Sequence, residues 1–412
     1  RGFESHRLLK KILTSKKYYS WVLYDWANSA YATIVLAGFF PIIFAEYFAS
    51  SITASERTLY LGVSNSAASL VLIFIAPLFG LLADKFSNKK LFLLIFAGLS
   101  IISTLILSLI SKDSYVLASI FFSISLLGFM MSNVFYDAML LNFSSEKYDK
   151  VSSMGYALGY LGGGLAFVFT LIFLYLNSDS SIEIISSNKI VFIFAASWWM
   201  IFMIPLFFYW SEKKIESKTT SLIDTFKEIR STKPIFLFLL AYWIYIDGVD
   251  TIIRMAINYG LTLGFSSTDL LIALLVTQFV AFPGTLLINK ISEYFSCEIT
   301  IIGCLVIYLV ITILAYNLES VFEFYLIASL IGLVQGGIQA LSRSYFARLI
   351  PYNKHSEYFG IYNMLGKFAA LIGPLVVGLI TYITYDSRLG ILSISLFFIV
   401  GIMLFNFSRT VK

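Results

Sequence analysis

Ionisable residues are scarce in this chain of 412 residues. Only 13% of its positions are Asp, Glu, Lys or Arg, against roughly 25% in a soluble domain. Hydrophobic residues make up 59% and the mean hydropathy is +0.85. This shortage of charge excludes a soluble globular protein and leaves a polytopic membrane protein. Histidine is scarcer still: His6 and His355 both fall at the same expected membrane face, too peripheral to assemble a metal cluster. No metal and no cofactor are therefore expected. Nor is an enzyme, because intramembrane catalysis needs a nucleophile and base, or metal ligands, gathered at one depth. Cys297 and Cys304 cannot build a disulfide framework and read as small core residues on one helix face. Long polar segments are missing too. The longest internal loop is 211–233, so there is no soluble appendage to suggest a receptor or scaffold. Residues 1–17 lead into a span too long and too polar for a signal-peptide core, and no cleavable signal is expected.

What the chain has instead is long apolar runs. They fall at 18–48, 59–83, 91–110, 116–143, 151–176, 190–210, 235–263, 270–291, 299–316, 322–350, 358–385 and 389–407. About 20 apolar residues cross a ~30 Å hydrocarbon core, so these predict twelve transmembrane helices. Basic residues set their orientation. Of the 29 Lys and Arg, only Arg57, Lys112, Lys189 and Arg388 fall in loops of one side. Arg254 and Lys367 lie inside spans, and all the others lie at the opposite side with both termini. By the positive-inside rule both termini are cytoplasmic. Loop 211–233 divides the spans six and six. The expected organisation is a cytoplasmic segment 1–17, a six-helix bundle 18–210, a linker 211–233 and a second six-helix bundle 234–409. Leu222, Phe226 and Ile229 recur at helical spacing between Ser221 and Pro234, which predicts an amphipathic helix on the cytoplasmic face.

The most informative stretch is 245–260, read YIDGVDTIIRMAINYG. Asp247, Asp250, Arg254 and Asn258 stand three or four residues apart, on one stripe of one membrane helix. A charge at the centre of such a helix costs about 2.5–3.5 kcal/mol on insertion scales, so such residues face a cavity or a partner. Lys367 lies near the middle of its own span. A salt bridge between it and one of the Asp residues, holding the two halves together, is the plain alternative to a role in binding. An intrahelical ion pair is the plain alternative for Asp250 and Arg254. Asp25 and Asp137 lie nearer the cytoplasmic ends of their spans. Asn28, Gln339 and Asn363 either line the same site or satisfy one another across helices. Gly155, Gly159 and Gly163 repeat every four residues, a pattern for close helix packing. Tyr24, Trp26, Tyr31, Trp243 and Tyr245 suit an aromatic belt better than a cavity wall.

Two features look like an internal repeat. Asp25 is followed by Asn28-Ser29, and Asp247 by Asp250-Thr251 at the same offset. Twofold-repeated bundles are how many secondary transporters are built. The loop after the second span reads Gly80-x-x-x-Asp84-Lys85 with Lys89 and Lys90 behind it. It resembles the signature loop of the major facilitator superfamily, a cytoplasmic gate loop whose acid and bases latch to helix ends. Further stretches are Tyr24–Ala30, Ser153–Gly163, Asp247-Gly248, Gly336–Ser344 and Tyr362–Phe368. Together they resemble the vacuole-effluxer-like branch of that superfamily, whose fungal members export amino acids from the vacuole. Asp137, in Phe135-Tyr136-Asp137-Ala138, departs from the Asn expected there and adds an acid.

The resemblance implies an all-α facilitator fold that moves a solute by rocking its halves. The charges narrow the cargo. Carboxylates beside fixed cations suit a zwitterion, with Arg254 or Lys367 for its carboxylate and an Asp for its ammonium. The expected substrate site comprises Asn28, Asp247, Asp250, Arg254, Gln339, Asn363 and Lys367. Asp25, Asp137 and Asp247 are candidate proton carriers. The expected function is secondary active transport of a small, polar, amino-acid-like zwitterion by alternating access, with efflux implied only by the family resemblance. A lipid or lysolipid flippase, or an exporter of cationic solutes, of the same fold is the alternative. Partners are the solute, the lipid bilayer and protons. Nucleic acid is not one of them, the chain is expected to act as a monomer, and a bacterial cytoplasmic membrane suits it better than an organelle.

Overall fold

The computed structural model describes residues 16–52, 54–176, 189–212, 222–351 and 354–410. Among these residues every regular element is helical. Eleven helical stretches are long and apolar enough to cross a membrane, and a shorter apolar stretch, Ile372–Thr381, lies inside a further helix. That matches the twelve spans read from hydropathy. Phe74, Phe208, Tyr385, Ile383 and Met403 are each at least 66% exposed, as side chains facing lipid rather than water would be.

The first span opens as α1 (Lys16–Ala30) and continues through wide, π-helical turns at Tyr31–Phe39 and Phe44–Phe48, with an α-helical turn at Phe40–Ile43 between them. Pro41 sits in that turn and supplies no N–H to the helical ladder, one reason the regular repeat is lost here. The chain then forms α2 (Ala54–Phe86), α3 (Lys89–Leu107), α4 (Tyr115–Met139), α5 (Tyr148–Leu176) and α6 (Ile190–Tyr209). The short α7 (Leu222–Ser231) precedes α8 (Lys233–Thr262), α9 (Ser267–Phe295), α10 (Cys297–Tyr316), α11 (Val321–Leu349) and α12 (His355–Thr384). The chain closes with α13 (Ser387–Leu392) and α14 (Ser395–Thr410). Helix starts are set by local chemistry. Ser320 and Glu323 form a reciprocal capping box on α11, satisfying two orphan backbone donors at once.

The compact units do not follow chain order. The first comprises residues 1–68, 87–136 and 158–215; the second comprises 69–86, 137–157 and 216–412. The second unit therefore contains the end of α2, the end of α4 and the start of α5, together with all the helices after the linker.

In the first unit, Trp21 stacks on Tyr136 at 4.3 Å between centroids, and Trp199 packs against Tyr24, Tyr31 and Phe129. Glycines of α5 let that helix meet the first span at backbone distance. A Cβ on Gly162 would lie 2.7 Å from the Trp26 ring, and one on Gly163 would lie 2.5 Å from Thr33 Oγ1. The packing role expected of the glycine ladder is what Gly159 and Gly163 show. The aromatic-belt expectation needs correction. Tyr24, Tyr31 and Tyr245 are at most 1% exposed, because helix packing, not the lipid boundary, claims their rings.

In the second unit, Phe238, Tyr242, Tyr345, Phe346, Tyr362 and Phe405 form one aromatic cluster between α8, α11, α12 and α14. The linker helix α7 forms, but not as a simple amphipathic strip. Ile229 is buried and Phe226 is exposed, while the side chain of Leu222 falls outside the described residues. α7 is attached to the start of α12 by polar contacts, described below.

Candidate functional site

The site is easiest to build from α12, because three separate acids of the second unit grip it. Its first turn has no side-chain cap of its own, since Lys354 makes no cap hydrogen bond. Asp84, at the end of α2, supplies one instead: its Oδ2 accepts from the Ser356 N–H at 2.8 Å and the Glu357 N–H at 3.0 Å. A carboxylate at a helix N-terminus meets both free N–H groups and the positive end of the dipole. Gly80, one turn earlier, makes the approach feasible; a Cβ there would sit 2.4 Å from the Ser356 carbonyl oxygen. Linker helix α7 reinforces the same turn, with Thr225 donating to Glu357 and Lys354 pairing with Glu228.

Two turns on, Asn363 donates to Asp137 Oδ2 at 3.1 Å. The other oxygen of Asp137 accepts from Arg343 Nη1 of α11 at 2.9 Å. Arg343 has 2% of its side chain exposed and uses its whole fork. Nε donates to Ser152 Oγ at 2.8 Å, Nη2 donates to the Ser152 carbonyl at 3.0 Å, and the guanidinium lies 4.3 Å over the Tyr156 ring. A buried guanidinium that donates from all three nitrogens is a well-defined joint. Ser152 also donates to the Ala340 carbonyl and Ser153 to Asn289, while Arg348 pairs with Asp149. Segments 69–86 and 137–157 are thus latched to α9, α11 and α12.

The third acid is Asp247 of α8, 2% exposed. Its Oδ1 accepts from the Gly373 N–H of α12 at 2.8 Å and from Thr251 Oγ1 at 3.2 Å. Asp250 is half-buried and Arg254 exposed. Among the described residues neither is in an ion pair, so the intrahelical pair that their spacing allows does not form. Gln339 is half-buried on α11. Lys367 lies in α12, but its side chain, like those of Asn258 and His355, falls outside the described residues.

Asn28 and Asp25 belong to the first unit. Asn28 donates to Asn133 Oδ1 at 2.7 Å, the mutual-satisfaction alternative for a membrane amide. Asp25, 9% exposed, accepts from the Tyr136 hydroxyl at 3.2 Å. The expected gate loop is divided in its bonding. Gly80 and Asp84 hold α12, Lys85 is exposed, and Lys89 and Lys90 donate their backbone N–H groups to Glu212 at 3.0 and 2.6 Å. Lys90 Nζ further donates to the carbonyls of Phe207 and Trp210.

Comparison with known proteins agrees with this architecture. The profile of a family described as "Vacuole effluxer Atg22 like" matches residues 48–147 and 141–412. The chain belongs to that family. An MFS-type transporter of Bacillus subtilis strain 168, YxiO, named as uncharacterized, is 37% identical over 405 residues, covering 95% of each chain. Autophagy-related protein 22 of Vanderwaltozyma polyspora is 22% identical, covering 98% of this chain and 92% of its own. Among solved structures, the human organic anion transporter MFSD10 superposes with a TM-score of 0.75 at 12% identity, covering 95% of this chain and 99% of that one. The Escherichia coli fucose:proton symporter FucP gives 0.72, also at 12% identity, with 95% and 97% covered. This effluxer-family protein is a multi-pass membrane transporter of the major facilitator superfamily, and not an enzyme.

Sequence reading singled out Asp137 and Asn363 but assigned Arg343 to the membrane boundary with the loop bases. Its partners Ser152 and Tyr156 carried no signal beyond small and aromatic residues in a helix. The available clue was Asp137 itself: an acid inside an apolar run calls for a buried partner.

Proposed function

We propose that this transporter moves a small, polar, zwitterionic metabolite of the amino-acid type by alternating access, with a proton as the coupled ion. The observation that carries this reading lies on α8, where Asp250 and Arg254 form no ion pair with any described residue. Asp250 and Arg254 stand four residues apart in a membrane-spanning helix, a spacing at which opposite charges normally meet. Neither is neutralised by a described residue, although a charge at such depth requires a partner or water. A solute that brings its own ammonium and carboxylate supplies both partners at once, the carboxylate to a guanidinium that binds it bidentately. Gln339 and Lys367 are the further residues we assign to the solute.

The other acids are engaged. Asp137 is neutralised by Arg343, whereas Asp247 is held by a neutral amide and a hydroxyl. Asp247 is therefore the preferred proton carrier. The Asp84 and Asp137 contacts serve as the gate, closing one side of the pathway. By its basic residues that side is the cytoplasmic one, with export from a bacterial cell as the direction the family description favours.

The test is uptake into liposomes of a pooled set of labelled amino acids, with and without a proton gradient. Arg254→Met and Asp250→Asn should each lower uptake at least about tenfold, since a charge-assisted hydrogen bond contributes about 1.5–3 kcal/mol. Asp247→Asn should abolish the dependence on the gradient. Absence of uptake by folded protein under every gradient would overturn the amino-acid reading and bring the lipid and cationic-solute readings forward.

A further inference from the structure

α12 is gripped from outside along its first half and weakened at one place in its middle. The contacts to Asp84, Thr225, Glu228 and Asp137 all fall between Lys354 and Asn363. Ten residues beyond Asn363 comes Gly373-Pro374. Pro374 has no N–H for the helical ladder, and its ring crowds the carbonyl one turn back. In a membrane helix such a defect persists where neighbouring groups satisfy the freed backbone. Immediately before the proline, Asp247 holds the backbone from outside the helix, accepting from the Gly373 N–H at 2.8 Å.

The approach of the two helices at this point is extreme. A Cβ on residue 373 would lie 1.8 Å from Thr251 Oγ1 and 2.5 Å from Asp247 Oδ1, so only glycine permits it. Thr251 donates to the same carboxylate oxygen. The clasp is thus a three-member unit, Asp247–Thr251–Gly373, built against the proline. It lies on the helix that carries Asp250 and Arg254, one and two turns away.

We propose that Gly373-Pro374 is a hinge in α12 and that Asp247 is its clasp, joining the solute-binding stripe of α8 to the gate contacts at the start of α12. With the clasp made, the first half of α12, about five turns long, is held in line and its gate contacts persist. A solute bound at Asp250 and Arg254 shifts α8 beneath the clasp, Gly373 is released, and the first half of α12 swings away from Asp84 and Asp137. The solute step rests on the function proposed above; the hinge and its clasp do not.

Amide exchange on the intact protein in lipid nanodiscs, resolved at Gly373, tests this directly. Asp247→Ala should speed exchange at Gly373 about tenfold or more, the consequence of losing one hydrogen bond to a charged group. Asp247→Asn keeps a carbonyl oxygen for the same N–H and should change it far less. Thr251→Val, a milder variant, should speed it by a smaller factor than Asp247→Ala. Pro374→Ala restores a ladder donor and should slow exchange around 373 and reduce transport, while Pro283→Ala in α9 should leave exchange at 373 as in the native protein. Native exchange at Gly373 in both Asp247→Ala and Thr251→Val would overturn the clasp. Exchange around 373 unchanged in Pro374→Ala would overturn the hinge. Exchange needs no solute, so a failed amino-acid uptake assay with a positive exchange result would remove the cargo and leave the hinge standing.

Discussion

Arg343 of α11 donates to Asp137, at the end of α4, across 2.9 Å in a setting that exposes 2% of the arginine and 10% of the aspartate side chain. The pair joins segment 137–157 to the helices after the linker, and Asn363 and Ser152 complete its hydrogen bonding. Breaking a buried pair by removing one partner typically costs about 3–5 kcal/mol, whereas replacing both with apolar groups is often neutral. Arg343→Met should therefore lower the melting temperature in detergent markedly, and Arg343→Met with Asp137→Leu should recover much of the loss. Thermal unfolding of both variants, followed by size-exclusion of the soluble fraction, checks this. Equal destabilisation by the single and double variants would show that the pair is not the joint.

Gly80 and Gly62 lie in the same helix, α2, with opposite surroundings. A methyl at 80 meets the Ser356 carbonyl oxygen at 2.4 Å, while a methyl at 62 meets nothing within 4 Å. Gly80→Ala should cost about 1–3 kcal/mol through forced separation and disturb the Asp84 cap. Gly62→Ala should be neutral or stabilising by up to about 1 kcal/mol. Parallel melting curves of the two variants test the contrast.

Asp113 sits in the loop after α3, where it ties that loop to the end of the first span. It accepts from Ser50 Oγ at 2.7 Å and Ser51 N–H at 2.8 Å. These bonds, the Ser50 hydroxyl foremost, hold its pKa below the ordinary 3.8. A depressed carboxylate stabilises the fold above the unfolded value and loses that contribution as pH falls through the folded one. Asp113→Asn keeps the residue's tolerance of its positive φ of 60°. Native protein should thus be the more stable at neutral pH, and the two melting curves should converge in strong acid. A constant difference across pH would refute the assignment.

Asn28 and Asn133 form a side-chain pair inside the first unit. Interhelical hydrogen bonds in membranes contribute about 0.6 kcal/mol on average. A double-mutant cycle of Asn28→Ala and Asn133→Ala should give a coupling energy of that order. A coupling near zero, with loss of uptake in Asn28→Ala alone, would return Asn28 to the solute site.

Much of this molecule was legible before any coordinates. Apolar runs long enough to cross a bilayer dictated its spans, because a membrane admits backbone only as helices or closed barrels. The same rule made Asp247, Asp250, Arg254 and Lys367 conspicuous, since charge in such a run is costly. Spacing also placed Asp250 and Arg254 on one stripe. What a one-dimensional pattern cannot contain is the choice of partner. Asp247 and Asp250 are alike in sequence, yet one is taken by a backbone N–H of a helix more than a hundred residues away and the other is in no ion pair with a described residue. Arg343 counts as a boundary base by position and becomes the centre of a buried joint by packing. Asp84 caps a helix that begins far along the chain. Composition and periodicity fix which groups must leave water, because that is a property of each helix alone. Which group satisfies which is decided only when helices pack, because hydrogen bonds act over about 3 Å and sequence separation carries no such distance.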